Sequence, residues 1–542
     1  MRCRGGPLAT PTIPGTLALM VTLTTDVLVI GGGATGAGVA WDASRRGLGV
    51  ILVERFDLAQ GTSGRFHGLL HSGARYVVND PLAARECAAE NQILRRVAAG
   101  SIEDTGGLFV TTPFDDPDYA DRFAAACKQN DVDCQEIPVS LALREEPRLN
   151  PKITRSFRVP DASIDVWQTV WALAHGAQRG GARILPYHEV TGIRRAGDAV
   201  VGARVHDVRG GEDLDIQARV TVNACGAWAG RIAELAGIEG VRVLPGRGIM
   251  IAMNHRLVNT VVNRCQLPAD GDIIVPIRTV SVVGTTDRHT DDPDDHTVLH
   301  SEIDEMLDEG EKLVPGLRQA RALHVWSGVR PLFEDARHSG AENRDITRAH
   351  ALLDHRQRDG VSGFVTITGG KLTTFRLMAE QTVDIVCKEL GSDQLCVTAT
   401  EPLPGSESGE SYKLGERLGR KEQQLRDEQL ICECELVTRT ELEQTIRRTG
   451  STNLDDIRRQ LRLGMGPCQG GFCIYRAAGI AHELDGSSAE QTNASIFAFL
   501  HERWKGVWPV LYGDQLRQAR FDEWIFHGVL DVDHLPLDGR AS

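Results

Sequence analysis

The stretch that most narrows the possible folds is "DVLVIGGGATGAGVAWDASRRGLGVILVE", Asp26 to Glu54. "VLVI" is a short, wholly apolar run of the kind buried on both faces of a parallel sheet. A glycine-rich turn follows, then a small-residue helix expected over roughly Thr35 to Arg46 and stopped by Gly47, then the second apolar strand "GVILVE". Strand, glycine turn, helix and strand make a βαβ unit. Within it, Gly31, Gly33 and Gly36 supply G-x-G-x-x-G. The first permits the tight turn, the second lets backbone approach a pyrophosphate, and the third lets helix pack against strand. The helix start offers N–H groups and partial positive charge to that anion. Glu54, at the end of the second strand, is placed to accept from a ribose hydroxyl. The motif alone leaves NAD and FAD both open.

The rest of the chain favours FAD. "TGGKLTT", 368–374, puts a second glycine turn, Gly369 and Gly370, before a second helix that Gly391 ends. A helix start there can stabilise the negative charge of a reduced flavin. "GTSGRFHGLLHSGARY", Gly61 to Tyr76, is a polar, glycine-rich stretch directly after the βαβ unit. A ring system can press against such backbone, with Thr62 and Ser63 as cofactor-binding candidates. Strand-like runs recur through "GARIL", "ARVTVNACG", "GIMIAM", "DIIVPI" and "TVSVVGTTD", while 77–130 reads as mostly helical. The expected architecture is α/β: a discontinuous Rossmann-like FAD domain with an inserted mixed-sheet substrate domain over 24–400. Then come a charged linker, 401–428, a small helical cysteine module, 429–485, and a tail, 486–542. Residues 1–23 are expected to be a disordered leader, with Met20 an alternative start.

Charge and composition limit what the chain can bind. A net charge of −14 leaves no excess of Lys and Arg for non-specific nucleic-acid binding, and it repels anionic substrates unless a local basic cluster holds them. Twelve cysteines in 542 residues are too few for a disulfide scaffold and fit a reducing cytoplasm. The chain has no 18-residue apolar run, so any membrane contact is expected to be peripheral, through a partner.

Cys432 and Cys434 form C-x-C; after 33 intervening residues, Cys468 and Cys473 form C-x4-C. Both pairs fall at expected loop-to-helix junctions, where four thiolates can converge. Gly464, Gly466, Gly470 and Gly471 leave N–H groups nearby to stabilise an anionic iron–sulfur core. Zinc could use the same sulfurs, although its sites more often show C-x2-C. A disulfide pair suits the inferred compartment poorly.

Several blocks resemble one family. "IGGGATGAGVAWDASRRG" and "GGKLTTFRLMA" look like the two signatures of FAD-dependent glycerol-3-phosphate dehydrogenases, with Phe375 where that family usually has Tyr, a position expected only to pack. "LLHSGARY", "VNACGAW", "VGTTD" and "SGVRPL" resemble further family blocks. With the cysteine module added, the chain is similar from about Thr24 onward to the large subunit of the anaerobic form. The resemblance implies oxidation of the C2 alcohol of sn-glycerol 3-phosphate to dihydroxyacetone phosphate by hydride transfer to FAD. Electrons would pass through a [2Fe–2S] cluster held by Cys432, Cys434, Cys468 and Cys473 toward a quinone. It also implies two partners, a second flavoprotein subunit plus a membrane-attached iron–sulfur subunit, and hence a cytoplasmic location on the inner face of the membrane.

Arg330, Arg348 and Lys371 stand at positions that resemble the family's phosphate-binding residues, with Arg344 near enough to replace Arg348. His71 is the candidate base, with His67 and His255 as rivals, and Arg75 and Tyr76 are candidates to line the same pocket. Two other readings stay open: an FAD-dependent amine or hydroxy-acid oxidase, or a non-catalytic electron-transfer or metal-binding scaffold. The tail's Trp504, Trp508 and Trp524 are expected to pack on their own chain, with docking of a partner as the alternative.

Overall fold

The computed structural model describes residues 21–333, 350–424, 428–529 and 531–534. The leader through Met20, together with Arg344 and Arg348, lies outside the described residues.

The first strand, β1 (Val21–Ile30), starts inside the expected leader, and its first residues pair in register with Leu214, Asp215 and Ile216. It runs into α1 (Ala34–Arg45), β2 (Val50–Glu54) and, much later, α2 (Val166–Arg179). A strand β3 (Asp213–Asn223) returns beside β1, parallel to it. Substrate-side strands β4 (Val243–Met253) and β5 (Ala322–Phe333) follow. β6 (Phe364–Gly369) and α3 (Phe375–Leu390) close the nucleotide domain, with Gly391 as the left-handed cap. β2, β1, β3 and β6 form the parallel heart of an eight-stranded sheet, extended by a parallel strand, Arg183–Pro186, beside β2 and by antiparallel strands beside β3 and β6. α1 lies between α2 and α3 over that sheet, and the small residues Ala37, Ala40 and Ala43 let the three helices approach closely. Phe375 is fully buried in this core, where the edge of its ring meets Gly38; it packs and does nothing polar.

The second sheet has nine strands, mixed in direction, drawn from 107–159 and 243–333. β4 and β5 pair along their whole length, so alternate residues of both face the nucleotide domain. The fold is therefore the α/β, FAD-oxidoreductase type with an inserted mixed sheet. Two local expectations fail. The region 77–130 contains strands at Ile102–Glu103, in a small three-stranded sheet, and at Gly107–Thr111, in the inserted sheet, because tertiary pairing overrides helical propensity. The 401–428 segment is partly docked: Leu403 is buried, Tyr412 N donates to Ile102 O (2.8 Å), and the Arg278 guanidinium stacks 3.2 Å over the Tyr412 ring.

The C-terminal module consists of α4 (Arg439–Thr449), α5 (Leu454–Leu461), α6 (Cys473–Asp485) and α7 (Ala489–Val507). Thr438 and Glu441 cap α4 reciprocally, and Asn453 caps α5. α5 packs on α2, and α7 packs on β5, so the module sits directly on both parts of the oxidoreductase body. The tail aromatics do not pack away. Trp504, Trp508 and Trp524 are 45%, 66% and 66% exposed, because α7 and the last turns bury Ile496, Phe499, Ile525 and Phe526 instead.

Candidate active site and cysteine centre

A cavity of about 1580 Å³ runs from the β1–α1 turn, between the two sheets, to the cysteine module. At its nucleotide end, Gly31 has φ +108°, and a Cβ there would lie 2.7 Å from Ala224 O. A Cβ on Gly36 would collide with Gly31 O, so only glycine lets α1 start this close to the strand end. Gly33 caps α1, and Ser63 Oγ accepts from Ala34 N at 3.0 Å, which leaves the hydroxyl hydrogen to donate to an anion at the helix start. Glu54 Oε2 accepts from Gly32 N (2.7 Å) and Oε1 from Phe56 N (3.1 Å). Burial pushes the carboxyl up, partly countered by those two N–H groups. A carboxylate has lone pairs left for a ribose hydroxyl. Thr62, by contrast, spends its hydroxyl on Val329 O (2.6 Å), tying the 61–65 loop to β5. Gly369 and Gly370 both have positive φ (+78° and +70°), and they turn the chain into the Lys371 cap that precedes α3.

At the other end, Gly73 (φ +96°) turns the chain sharply against Ala84, so that His71, Arg75 and Tyr76 all face the cavity. His71 N donates to Thr373 Oγ1 (3.0 Å), and His71 O accepts from Asn91 (3.1 Å), which fixes its backbone from both sides. Its Nε2 lies 3.5 Å from Tyr76 OH, and Lys371 Nζ lies 4.5 Å over the Tyr76 ring. Arg75 makes a buried ion pair with Asp272 (2.8 Å), while its Nη1 is buried with no acceptor. Arg330 pairs with Asp287 (3.1 Å) and donates to Thr286 O (2.9 Å) and to Thr285 Oγ1.

Burial, with His67, Arg75 and Lys371 around it, holds His71 well below the ordinary histidine range. Burial, with Arg75 and Arg330, brings His67 down to about 3. Both rings are therefore neutral. His67 Nδ1 accepts from Leu69 N (3.2 Å), so its proton is on Nε2. That nitrogen is a donor, which leaves His71 as the better proton acceptor. His255 is exposed and does not line the cavity.

The four cysteines form two pairs, each joining the front motif to the back one. Cys434 and Cys468 sulfurs are 3.6 Å apart, and the Cys432 and Cys473 thiols are hydrogen-bonded. The bond from Cys434 and the N–H groups of Gly470, Gly471 and Phe472 bring Cys468 down to about 6. The bond from Cys473 and the N–H groups of Gly464 and Glu435 bring Cys432 down to about 7. A Cβ at Gly464 or Gly470 would crowd Phe499, and one at Gly466 would collide with Cys434. Among the described residues, no three His, Cys, Asp or Glu side chains converge as ligands of a single metal ion. Two thiol pairs with inward N–H donors fit the four-thiolate donor set of a two-iron cluster.

The family model for FAD dependent oxidoreductases matches residues 26–384, and that for the BFD-like [2Fe-2S] binding domain matches 430–483. The chain is 41% identical to the A-subunit of the anaerobic glycerol-3-phosphate dehydrogenase of Haemophilus influenzae, over 98% of each chain. It is 43% identical to the Escherichia coli A-subunit, over 94% of this chain and 97% of that one. The chain belongs to the family of anaerobic glycerol-3-phosphate dehydrogenase A-subunits. Its cofactors are FAD and a [2Fe-2S] cluster. In fold it is similar to the FAD-complexed glycerol-3-phosphate dehydrogenase of Bacillus halodurans, with a TM-score of 0.58, 20% identity and 96% of each chain covered.

The structure of this family member also shows functional residues that sequence reasoning missed. Trp228 stacks under Arg55 (4.7 Å) and donates to Asp294 (2.9 Å), making an aromatic wall by Gly61 at the nucleotide end of the cavity. Thr373, which fixes His71, stands in the "TGGKLTT" block, but nothing in its spacing tells that its partner is 302 positions away. Asp272 and Asp287, the counter-charges of Arg75 and Arg330, stand in the "DIIVPI" and "VGTTD" runs, but nothing in either run names its arginine partner.

Proposed function

We propose that this chain is the catalytic subunit that oxidises sn-glycerol 3-phosphate to dihydroxyacetone phosphate and delivers the electrons toward a quinone. The observation that carries the reading is a cavity lined by three cations, with Arg75 and Lys371 beside a neutral, buried His71 and Arg330 beside the neighbouring His67. In a chain of net charge −14, such a cluster is what a doubly charged phosphate monoester needs. Arg75 and Arg330 present planar N–H groups to phosphate oxygens, and Lys371 adds a point charge. His71 Nε2 takes the C2-hydroxyl proton, and Tyr76 orients it. Ser63, Glu54 and the N–H groups of α1 hold the nucleotide half of FAD, while the turn at Gly369 and Gly370 fits the flavin half. Held by these residues, FAD would supply the hydride acceptor, and Cys432, Cys434, Cys468 and Cys473 would hold a cluster that supplies one-electron transfer.

The relatives are named as lettered subunits, which supports assembly with further subunits. No helix among the described residues is long and apolar enough to cross a membrane. Both facts support a cytoplasmic, peripheral position reached through a second flavoprotein subunit plus a membrane-attached iron–sulfur subunit. Anaerobic mixing of the holoenzyme with sn-glycerol 3-phosphate is the test. The flavin absorbance should bleach with this substrate and not with glycerol, a 2-hydroxy acid or an amino acid. Bleaching by either of the acids alone would replace the reading with the oxidase alternative.

A further inference from the structure

Glu435 follows the cysteine Cys434 directly, yet its carboxylate is turned away from solvent. It accepts from Arg462 Nε (3.0 Å) and from Thr279 Oγ1 (3.1 Å), at the tip of a hairpin whose Ile277 and Val280 line the cavity. The same guanidinium reaches Asp165 through Nη1 at 3.1 Å. Asp165 caps α2 and is itself part of the cavity wall. The three side chains are 3%, 6% and 2% exposed, so this is a buried charge triad. Arg462 is also one of the few non-glycine residues with positive φ, +60°, which costs about 1 kcal/mol or more. It opens the loop in which Gly464 N faces Cys432 and Gly466 packs on Cys434.

Stability alone does not account for this expenditure. Buried ion triads replaced by apolar side chains of similar size are often as stable or more so, and their best-attested use is fixing a register. Here the register joins the two sulfur-bearing segments to α2 and the 279 hairpin, the walls of the flavin cavity.

We infer that Arg462 is a positioning residue for electron transfer: it sets the separation between the flavin cavity and the cysteine centre. The inference rests on the proposed function, in which substrate oxidation breaks the C2–H and O–H bonds and leaves two electrons on the flavin. The cluster takes one, a ferric ion becoming ferrous. The second follows after a one-electron acceptor such as ferricyanide has reoxidised the cluster, and the flavin proton goes to solvent. Each transfer slows steeply as the separation grows.

Three variants of the full-length holoenzyme test it. Arg462→Met leaves two uncompensated carboxylates. The triple variant Arg462→Met, Asp165→Asn, Glu435→Gln removes every charge while Asn and Gln keep the cap on α2 and the bond to Thr279. Arg462→Lys keeps the charge but not the fork that reaches both carboxylates. In the triple variant, iron content, the EPR spectrum of the dithionite-reduced cluster and the rate of flavin bleaching by sn-glycerol 3-phosphate should match the parent. Hydrogen exchange over 462–466 should quicken, and cluster reduction after substrate mixing should slow on the order of tenfold to a hundredfold. Arg462→Lys should fall between. Cluster reduction at the parent rate in the triple variant would overturn the inference. So would loss of the cluster from all three variants, which would make the triad a retention device. If substrate fails to bleach the parent flavin, the proposed function is what fails, and photoreduced flavin then supplies the electrons for the same comparison.

Discussion

Arg75, Arg330, Arg459 and Arg462 all line one cavity, and they fall into two kinds. Arg75 pairs with Asp272 and Arg330 with Asp287, and both line the cavity; Arg330 also donates to Thr285 Oγ1 and Thr286 O. Arg459 faces three carboxylates, Asp57, Asp455 and Asp456, and Arg462 faces two, Asp165 and Glu435. A guanidinium surrounded by carboxylates is already over-neutralised and has nothing to offer an incoming anion. One held by a single carboxylate, with an Nη1 that is buried and has no acceptor, as in Arg75, has both geometry and charge to spare. Counting carboxylates per arginine therefore separates cations that bind from cations that fasten the module, where exposure alone does not.

The largest effect should come from the fastening kind. Arg459→Met leaves Asp57 buried without its ion-pair partner and Asp456 with Arg209 alone, a loss of about 3–5 kcal/mol. Thermal unfolding should show the module releasing early, with limited proteolysis cutting within the module, while the KM for sn-glycerol 3-phosphate stays put. A raised KM with unchanged unfolding would break the division. The binding kind should do the opposite. The double variant Arg75→Met, Asp272→Asn is neutral overall, so it should keep its stability. It should lose about 1.5–3 kcal/mol of substrate interaction, about tenfold to a hundredfold in kcat/KM. An unchanged kcat/KM would remove Arg75 from the phosphate site.

This division also marks what a sequence can reveal. The nucleotide end was legible because its chemistry is backbone chemistry: the close approach of Gly36 to Gly31 O lies within one turn, so local spacing records the motif even though Gly31 also abuts the distant Ala224. The cysteine centre was legible because two short motifs suffice to name four ligands. Which cations would bind and which would fasten was not legible, since that depends on carboxylates hundreds of positions away, such as Asp57 beneath Arg459. The same distance hid the strand at Gly107–Thr111, whose pairing partner is at Val261–Arg264. The tail was misjudged because a Trp at helical spacing signals an apolar face without saying whether anything covers it.

A third test uses histidines as local probes. Burial, with Arg458 and Arg503 nearby, brings His324 down to about 3, and Asp455 opposes only weakly. The unfolded chain takes up that proton at its ordinary value of 6.5, whereas the folded chain does not until far lower. The unfolded state thus binds more protons across this window. The stability that neutral His324 contributes is complete above 6.5 and is lost as pH falls toward 3. Relative to His324→Gln, the parent should lose about 1.4 kcal/mol for each pH unit in that window. Urea titrations at several pH values measure the difference and cancel the contribution of other groups.

His71 should respond differently, and that contrast is the sharpest form of the comparison. It too is neutral because burial and cations disfavour its protonated form, but those cations, Arg75 and Lys371, are of the binding kind. A bound dianion offsets them, so the His71 pKa should rise when substrate binds, whereas that of His324, beside residues of the fastening region, should stay. A base must be unprotonated to act, so activity falls as pH drops through its pKa. The acid limb of kcat, which reports the substrate complex, should therefore lie at higher pH than the acid limb of kcat/KM, which reports the free enzyme. A separation of about one unit corresponds to about 1.4 kcal/mol of interaction between the phosphate and the imidazolium. In His71→Asn the limb should vanish along with most of the rate. Should the limb survive there, the proton is taken by another group, and His67, once its tautomer is reversed, is the next to test.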